Sequence, residues 1–252
     1  MRRVIYLAAP VWAALAGPAL SMDMNIVADN EKLAYVFMWG KIEPGDDQKF
    51  RQLILPYVRS DHLIFEVNIF TGGGNVQAAM GLGDQIRVLQ ARTVAPDQFY
   101  DRVNGQWVQR RQVSCWFKKS YGGHVFANHS DIVTRNLGSN ANAWCECASA
   151  CFLVWASGVT RNGNRVGIHR PYFDANYFAQ FSPAEAKAKY ASVQTEFRQY
   201  LEKLNVPATI LDRLFATDSR SMHFLSREEL QLLQSTPYLE ELTEARCGPD
   251  RT

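Results

Sequence analysis

Three short segments carry residues whose types and spacing suit acyl-transfer chemistry. Thr71-Gly72-Gly73-Gly74-Asn75 sets three successive glycines between an Ile/Val/Phe-rich run and a segment of helical periodicity. Glycines admit backbone conformations and close approaches that side chains forbid, so such a turn can aim N–H groups at a phosphate or at a developing oxyanion. It lacks the Lys-Ser/Thr ending of a phosphate-binding P-loop. Cys147-Ala148-Ser149-Ala150-Cys151 places a serine between two alanines, where small neighbours leave the hydroxyl accessible. A serine at a helix start can attack a carbonyl while the following N–H stabilises the oxyanion; close packing inside a buried helix is the other use of such a serine. Val166-Gly167-Ile168-His169-Arg170-Pro171 ends an apolar run in a histidine, a side chain suited to take the serine proton and return it to a leaving group. A purely structural histidine is the alternative. His62, His124, His129 and His223 have no comparable setting.

The segments around these residues alternate between strand-like and helix-like. Leu33 to Trp39 reads as a strand ending at Gly40, Pro44 to Val58 as a helix, and His62 to Phe70 as a strand that stops at the glycine turn. Val76 to Leu89 has helical spacing, Thr93 and Val94 form the next short strand, Ala148 to Gly158 reads as a buried helix, and Arg165 to His169 as a strand. Ser182-Pro183-Ala184-Glu185 combines an N-cap, a proline at the first helical position and a capping-box glutamate, which predicts a helix to about Leu204. Ser226-Arg227-Glu228-Glu229 repeats the capping box after a short strand at Met222 to Leu225. The order is α/β throughout, without internal repeats. Residues 96–144 interrupt it as a polar, aromatic-rich insertion in which Asn104-Gly105 predicts a β-hairpin turn.

Charge and cysteine content bound the function further. The net charge of +2 includes Arg2 and Arg3, so the remainder is near neutral and lacks the basic patch that nucleic-acid binding needs. Arg2-Arg3, the apolar Val4 to Ala16 and the small-residue exit to Ser21 read as a secretory signal over residues 1–21, with cleavage before Met22. That apolar run is shorter than the roughly 20 residues a spanning helix needs, and no later stretch supplies a membrane span. An oxidising compartment permits disulfides among Cys115, Cys145, Cys147, Cys151 and Cys247, and their spacing matches no common zinc pattern.

In this order the segments resemble the Clp protease proteolytic-subunit family of the crotonase-like superfamily, most closely its exported bacterial relatives. The resemblance covers about residues 33–94 and 144–233. It rests on Gly40-Lys41-Ile42, the glycine turn with Val76, the Cys147 to Cys151 segment, Ile168-His169-Arg170-Pro171, and Phe224-Leu225-Ser226-Arg227-Glu228-Glu229. It implies a ClpP/crotonase-like α/β fold, a repeated ββα superhelix forming one domain over 22–252 with the insertion inside it. It also implies a periplasmic or secreted serine hydrolase, most simply a peptidase acting on peptides or unfolded protein without an ATP-driven partner, and it admits a homo-oligomer. Ser149 would be the nucleophile and His169 the base, with Gly73, Gly74 and Ala150 forming the oxyanion hole through the N–H groups of Gly74 and Ala150. Neither cofactor nor metal is implied.

One departure concerns the third triad member. The family's aspartate falls four residues before the serine of Phe-Leu-Ser, where this chain has Met222. Asp218 is the nearest replacement, ahead of Asp212 and Asp174; without an acid the site is a dyad or inactive. A non-catalytic peptide- or ligand-binding protein of the same fold is therefore the rival expectation. An acyl-CoA enzyme of the wider superfamily is disfavoured by export, since that cofactor is cytoplasmic.

Overall fold

A computed structural model describes residues 21–28, 32–96, 100–103, 106–109, 146–172 and 178–234. Residues 1–20 of the expected signal, most of the expected insertion over 96–144, Cys115, Cys145, Cys247 and Asp174 lie outside the described residues.

The chain is mixed α/β. Five strands, β1 (Asp23–Ala28), β2 (Leu33–Trp39), β3 (Leu63–Phe70), β4 (Arg92–Val94) and β8 (Arg161–Asn162), form one sheet in the order β1-β2-β3-β4-β8. β1 runs antiparallel to β2 at the edge, and the other pairings are parallel. Parallel neighbours need crossovers, which α1 (Asp46–Arg59) and α2 (Val76–Leu89) provide. β2 is apolar and buried along nearly its whole length, as a strand covered on both faces must be. Asn75 starts α2 by accepting the Ala78 N–H with its side chain at 2.8 Å.

A smaller sheet in the order β10-β9-β7 is built from β7 (Cys147–Ala148), β9 (Val166–Ile168) and β10 (His223–Phe224). β7 and β9 are parallel, and β10 is antiparallel to β9. A single parallel bridge from Thr71 to Cys147 links the two sheets at the glycine turn, and a second, from Ile42 to Gly74, pairs that turn with the segment after β2. In the stretch expected to be an insertion, β5 (Tyr100–Val103) and β6 (Gln106–Gln109) pair antiparallel with Val103 opposite Gln106, the register of a hairpin with a two-residue loop.

Four helices complete the described structure. α3 (Cys151–Ala156) is wholly buried and packs against α2. α4 (Pro183–Lys203) carries the capping box between Ser182 and Glu185 read from the sequence. α5 (Ala208–Ala216) follows, and α6 (Arg227–Gln234) opens on the reciprocal Ser226–Glu229 bonds of a second box. The buried guanidinium of Arg161 donates to the carbonyls of Leu204 at 2.5 Å and Leu233 at 3.1 Å, satisfying the C-terminal ends of α4 and α6.

Local sequence signals place most of these elements, with one correction. The helix expected from Ala148 begins only at Cys151, because Cys147 and Ala148 are drawn into strand pairing with Val166 and Gly167. β1, β8 and α5 have no counterpart among the sequence expectations. β1 and the two-residue β8 are defined by their partners rather than by their own pattern.

Candidate functional site

Two single bridges, from Ile42 to Gly74 and from Thr71 to Cys147, fix the glycine turn from both sides. Ile42 donates its N–H to the Gly73 carbonyl at 3.0 Å and accepts the Asn75 N–H at 2.8 Å. The buried Thr71 donates its N–H to the Glu146 carbonyl at 2.7 Å and accepts the Ala148 N–H at 3.0 Å. Gly73 and Gly74 have φ of 107° and 147°, conformations that a side chain tolerates poorly. A Cβ on Gly74 would run into the Ile42 carbonyl, and one on Gly73 would stand 2.6 Å from the Cβ of Ser149.

Ser149 turns the chain from β7 into α3. Its φ is 58°, a left-handed conformation uncommon for serine. Its N–H donates to the Gly167 carbonyl at 3.0 Å and its carbonyl accepts the Phe152 N–H at 3.0 Å, so the backbone is committed while the hydroxyl of this half-buried residue has no hydrogen-bond partner among the described residues. A disulfide between Cys147 and Cys151, with Cα atoms 5.1 Å apart, spans this turn.

The neighbouring backbone donors divide into two kinds. The Gly73 N–H is taken by the Thr71 hydroxyl at 3.1 Å, so Gly73 shapes the turn through its missing side chain. Among the described residues no acceptor takes the N–H of Gly74 or of Ala150. Ala150 directly follows Ser149, and Gly74 follows the Gly73 position that packs against the Ser149 Cβ and the Ala150 nitrogen.

His169 follows β9 as Ser149 follows β7, and the parallel register of Ala148 with Gly167 brings both residues to the same end of the sheet. The His169 Nδ1 lies 2.6 Å from the Arg170 carbonyl oxygen. A carbonyl oxygen can only accept, so Nδ1 carries the proton and Nε2 the lone pair of the neutral ring. No hydrogen bond joins His169 to the Ser149 hydroxyl among the described residues.

Asp218 reaches Arg170 rather than the imidazole. One carboxylate oxygen accepts from the Arg170 guanidinium at 2.6 Å, and the other accepts the N–H and Nε–H of Arg220, each at 3.0 Å. These bonds from Arg220, with the charge of Arg170, hold the Asp218 carboxyl below the usual carboxylate range. The Arg170 N–H also donates to the Thr217 carbonyl at 3.1 Å. Met222 stands beside β9, its sulfur 2.7 Å from where a Gly167 Cβ would be. Asp212 pairs with Arg198 at 3.6 Å on the surface between α4 and α5. Sequence reasoning does not single out Arg170 as a site residue; its adjacency to His169 and the proline that follows it are the signals that point to it.

Among the described residues no cluster of three or more His, Cys, Asp or Glu side chains could hold a metal ion, and no helix is long and apolar enough to cross a membrane. No known protein-family model matches the chain, and no curated protein matches it.

Proposed function

We propose that the chain is an exported serine hydrolase of the ClpP/crotonase-like fold, a peptidase in which Ser149 attacks the carbonyl carbon of a peptide bond. His169 takes the hydroxyl proton at Nε2 and gives it to the departing amine. The N–H groups of Gly74 and Ala150 receive the oxyanion, and water then opens the acyl-enzyme by the same groups in reverse. In this reading the domain runs from Met22 to the C-terminus with the insertion inside it, and short or unfolded peptides are the substrates. The disulfide beside Ser149 is compatible with an oxidising, periplasmic setting.

The observation that carries the reading is the arrangement around Ser149: a serine held left-handed between strand and helix, followed by the acceptor-free Ala150 N–H and packed against the Gly73 position of the glycine turn, among the described residues. His169 is oriented by a neutral acceptor, which supplies the tautomer a general base needs but no counter-charge for the imidazolium. Asp218 acts at one remove, holding the Arg170 whose carbonyl meets the ring. Ser149→Ala is expected to abolish labelling by a fluorophosphonate probe. A wild type that takes no label, or a variant labelled like wild type, refutes the assignment.

The rival reading, a peptide- or ligand-binding protein without catalysis, is favoured by Met222 at the position of the family acid and by the lack of a Ser149–His169 hydrogen bond among the described residues. It requires a wild type that binds peptides and never takes the probe.

A further inference from the structure

The start of β1 buries a carboxylate that lacks a cation. Asp46, the first residue of α1, is 1% exposed. Its Oδ2 accepts the Glu43 N–H at 2.7 Å and the Met22 N–H at 3.2 Å, while its Oδ1 is buried with no hydrogen-bond partner among the described residues. Desolvation pushes this carboxyl above the usual carboxylate range, although the Glu43 and Met22 N–H groups and the charge of Lys49 act the other way. Lys49 forms no ion pair with Asp46 among the described residues; its ammonium donates to the Met22 carbonyl at 2.5 Å and the Ser21 hydroxyl at 3.0 Å. A buried carboxylate with one oxygen unsatisfied is costly, and the native remedy is a charged donor.

The nitrogen facing that carboxylate belongs to the residue that the sequence places first after signal removal. Met22 is fully buried and its side chain joins the core, whereas Ser21 is exposed. We propose that Met22 becomes the N-terminus and that its new α-ammonium docks on Asp46 as a buried ion pair. Hydrolysis of the Ser21–Met22 amide by a signal-removing peptidase consumes one water, leaves a carboxylate on Ser21 and converts the Met22 amide N–H into an ammonium. One donor becomes three at the same position, which serves Oδ2 and brings a hydrogen within reach of Oδ1.

The docked terminus bears on the catalytic turn, and this consequence rests on the hydrolase reading. Asp46 holds the Glu43 N–H, and the preceding Ile42 is the residue that brackets Gly73 and Asn75. Seating the ammonium thus steadies the segment that fixes the proposed oxyanion donor Gly74. A chain still carrying its signal would fold with Asp46 uncompensated and the turn less firmly held.

The experiment compares the chain secreted with its own signal, its N-terminus sequenced, with a form retaining Ser21 as first residue, each with Asp46 and with Asp46→Asn. Sequencing is expected to return Met22. The form starting at Met22 is expected to melt higher than the one starting at Ser21, and Asp46→Asn is expected to remove that difference, a loss of roughly 6–20 °C in Tm. The α-amino-acetylated Met22 form, which needs no change at Asp46, is expected to melt like the Ser21 form. A different N-terminus, or equal melting of the Met22 and Ser21 forms, overturns the proposal. Fluorophosphonate labelling about tenfold faster in the Met22 form supports the link to Gly74, and equal rates overturn that link alone. If no form takes label, the hydrolase reading fails while the melting comparison still decides the docking.

Discussion

Replacing Gly73 with alanine separates the role of this turn in stability from its role in positioning Ser149. Two costs arise. A non-glycine residue at φ 107° is disfavoured by of order 1–3 kcal/mol. The added methyl would also lie 2.6 Å from the Ser149 Cβ and 3.0 Å from the Ala148 carbonyl oxygen and the Ala150 nitrogen. Carbon atoms rest at roughly 3.5–4.0 Å, so the turn and the serine must separate by about 1 Å. Overpacking of this kind costs about 1–3 kcal/mol, making the total about 2–6 kcal/mol. A displacement of that size at a reacting atom lowers the rate about 100-fold. Gly45→Ala supplies the control, because Gly45 has φ 95° but open space where its Cβ would be. Urea unfolding at constant m, with fluorophosphonate labelling on the same samples, gives both quantities. Gly45→Ala should lose only the conformational part, about 1–3 kcal/mol, and label at the wild-type rate. Gly73→Ala should lose more stability and label about 100-fold more slowly. A Gly73→Ala protein that labels like wild type would show that the glycine turn does not position the serine.

Two further predictions concern the disulfide beside Ser149 and a buried carboxyl in β3. The Cys147–Cys151 disulfide closes a loop with a sequence separation of 4, so chain entropy gives it about 2 kcal/mol, and the Cys147→Ala/Cys151→Ala double variant should melt about 4–8 °C lower by calorimetry; an unchanged Tm would remove the disulfide from the stability of the turn. Burial raises the Glu66 carboxyl above the ordinary glutamate value of 4.5, against the opposing Asn68 bond and Arg92 charge. The folded chain therefore holds a proton at this residue in a window above 4.5 where the unfolded chain has lost it, and stability falls as pH rises through that window. Glu66→Gln should flatten this slope in urea titrations at a series of pH values, and an identical slope in the variant would assign the effect to other groups.

What the sequence makes legible follows from where each signal resides. The helix over Val76 to Leu89 and the two capping boxes are legible because spacing, Asn75, Ser182 and Ser226 all act within a few residues. The segment Cys147 to Ala156 misleads because an apolar run has no period of its own: strand pairing with Val166 and Gly167 claims its first two residues, and Ser149 absorbs the change of direction at φ 58°. The order of glycine turn, serine and histidine is legible too, since residue type alone carries it. The partner of the imidazole is not. Asp218 lies 48 residues from Arg170, and whether its carboxylate meets the ring or the arginine depends on how the chain after α5 returns to β9. Arg220, two residues beyond Asp218, binds the second carboxylate oxygen, so both oxygens of Asp218 meet arginine side chains. With both oxygens held by arginines, the carboxylate adds little further charge at the histidine, and the Arg170 carbonyl is left to set the tautomer. If Asp218 works in this way, Asp218→Asn should slow labelling about tenfold through looser placement of Arg170, whereas loss of a direct triad carboxylate costs about 10,000-fold. The size of that loss therefore distinguishes a carboxylate acting on the ring from one acting on the residue beside it.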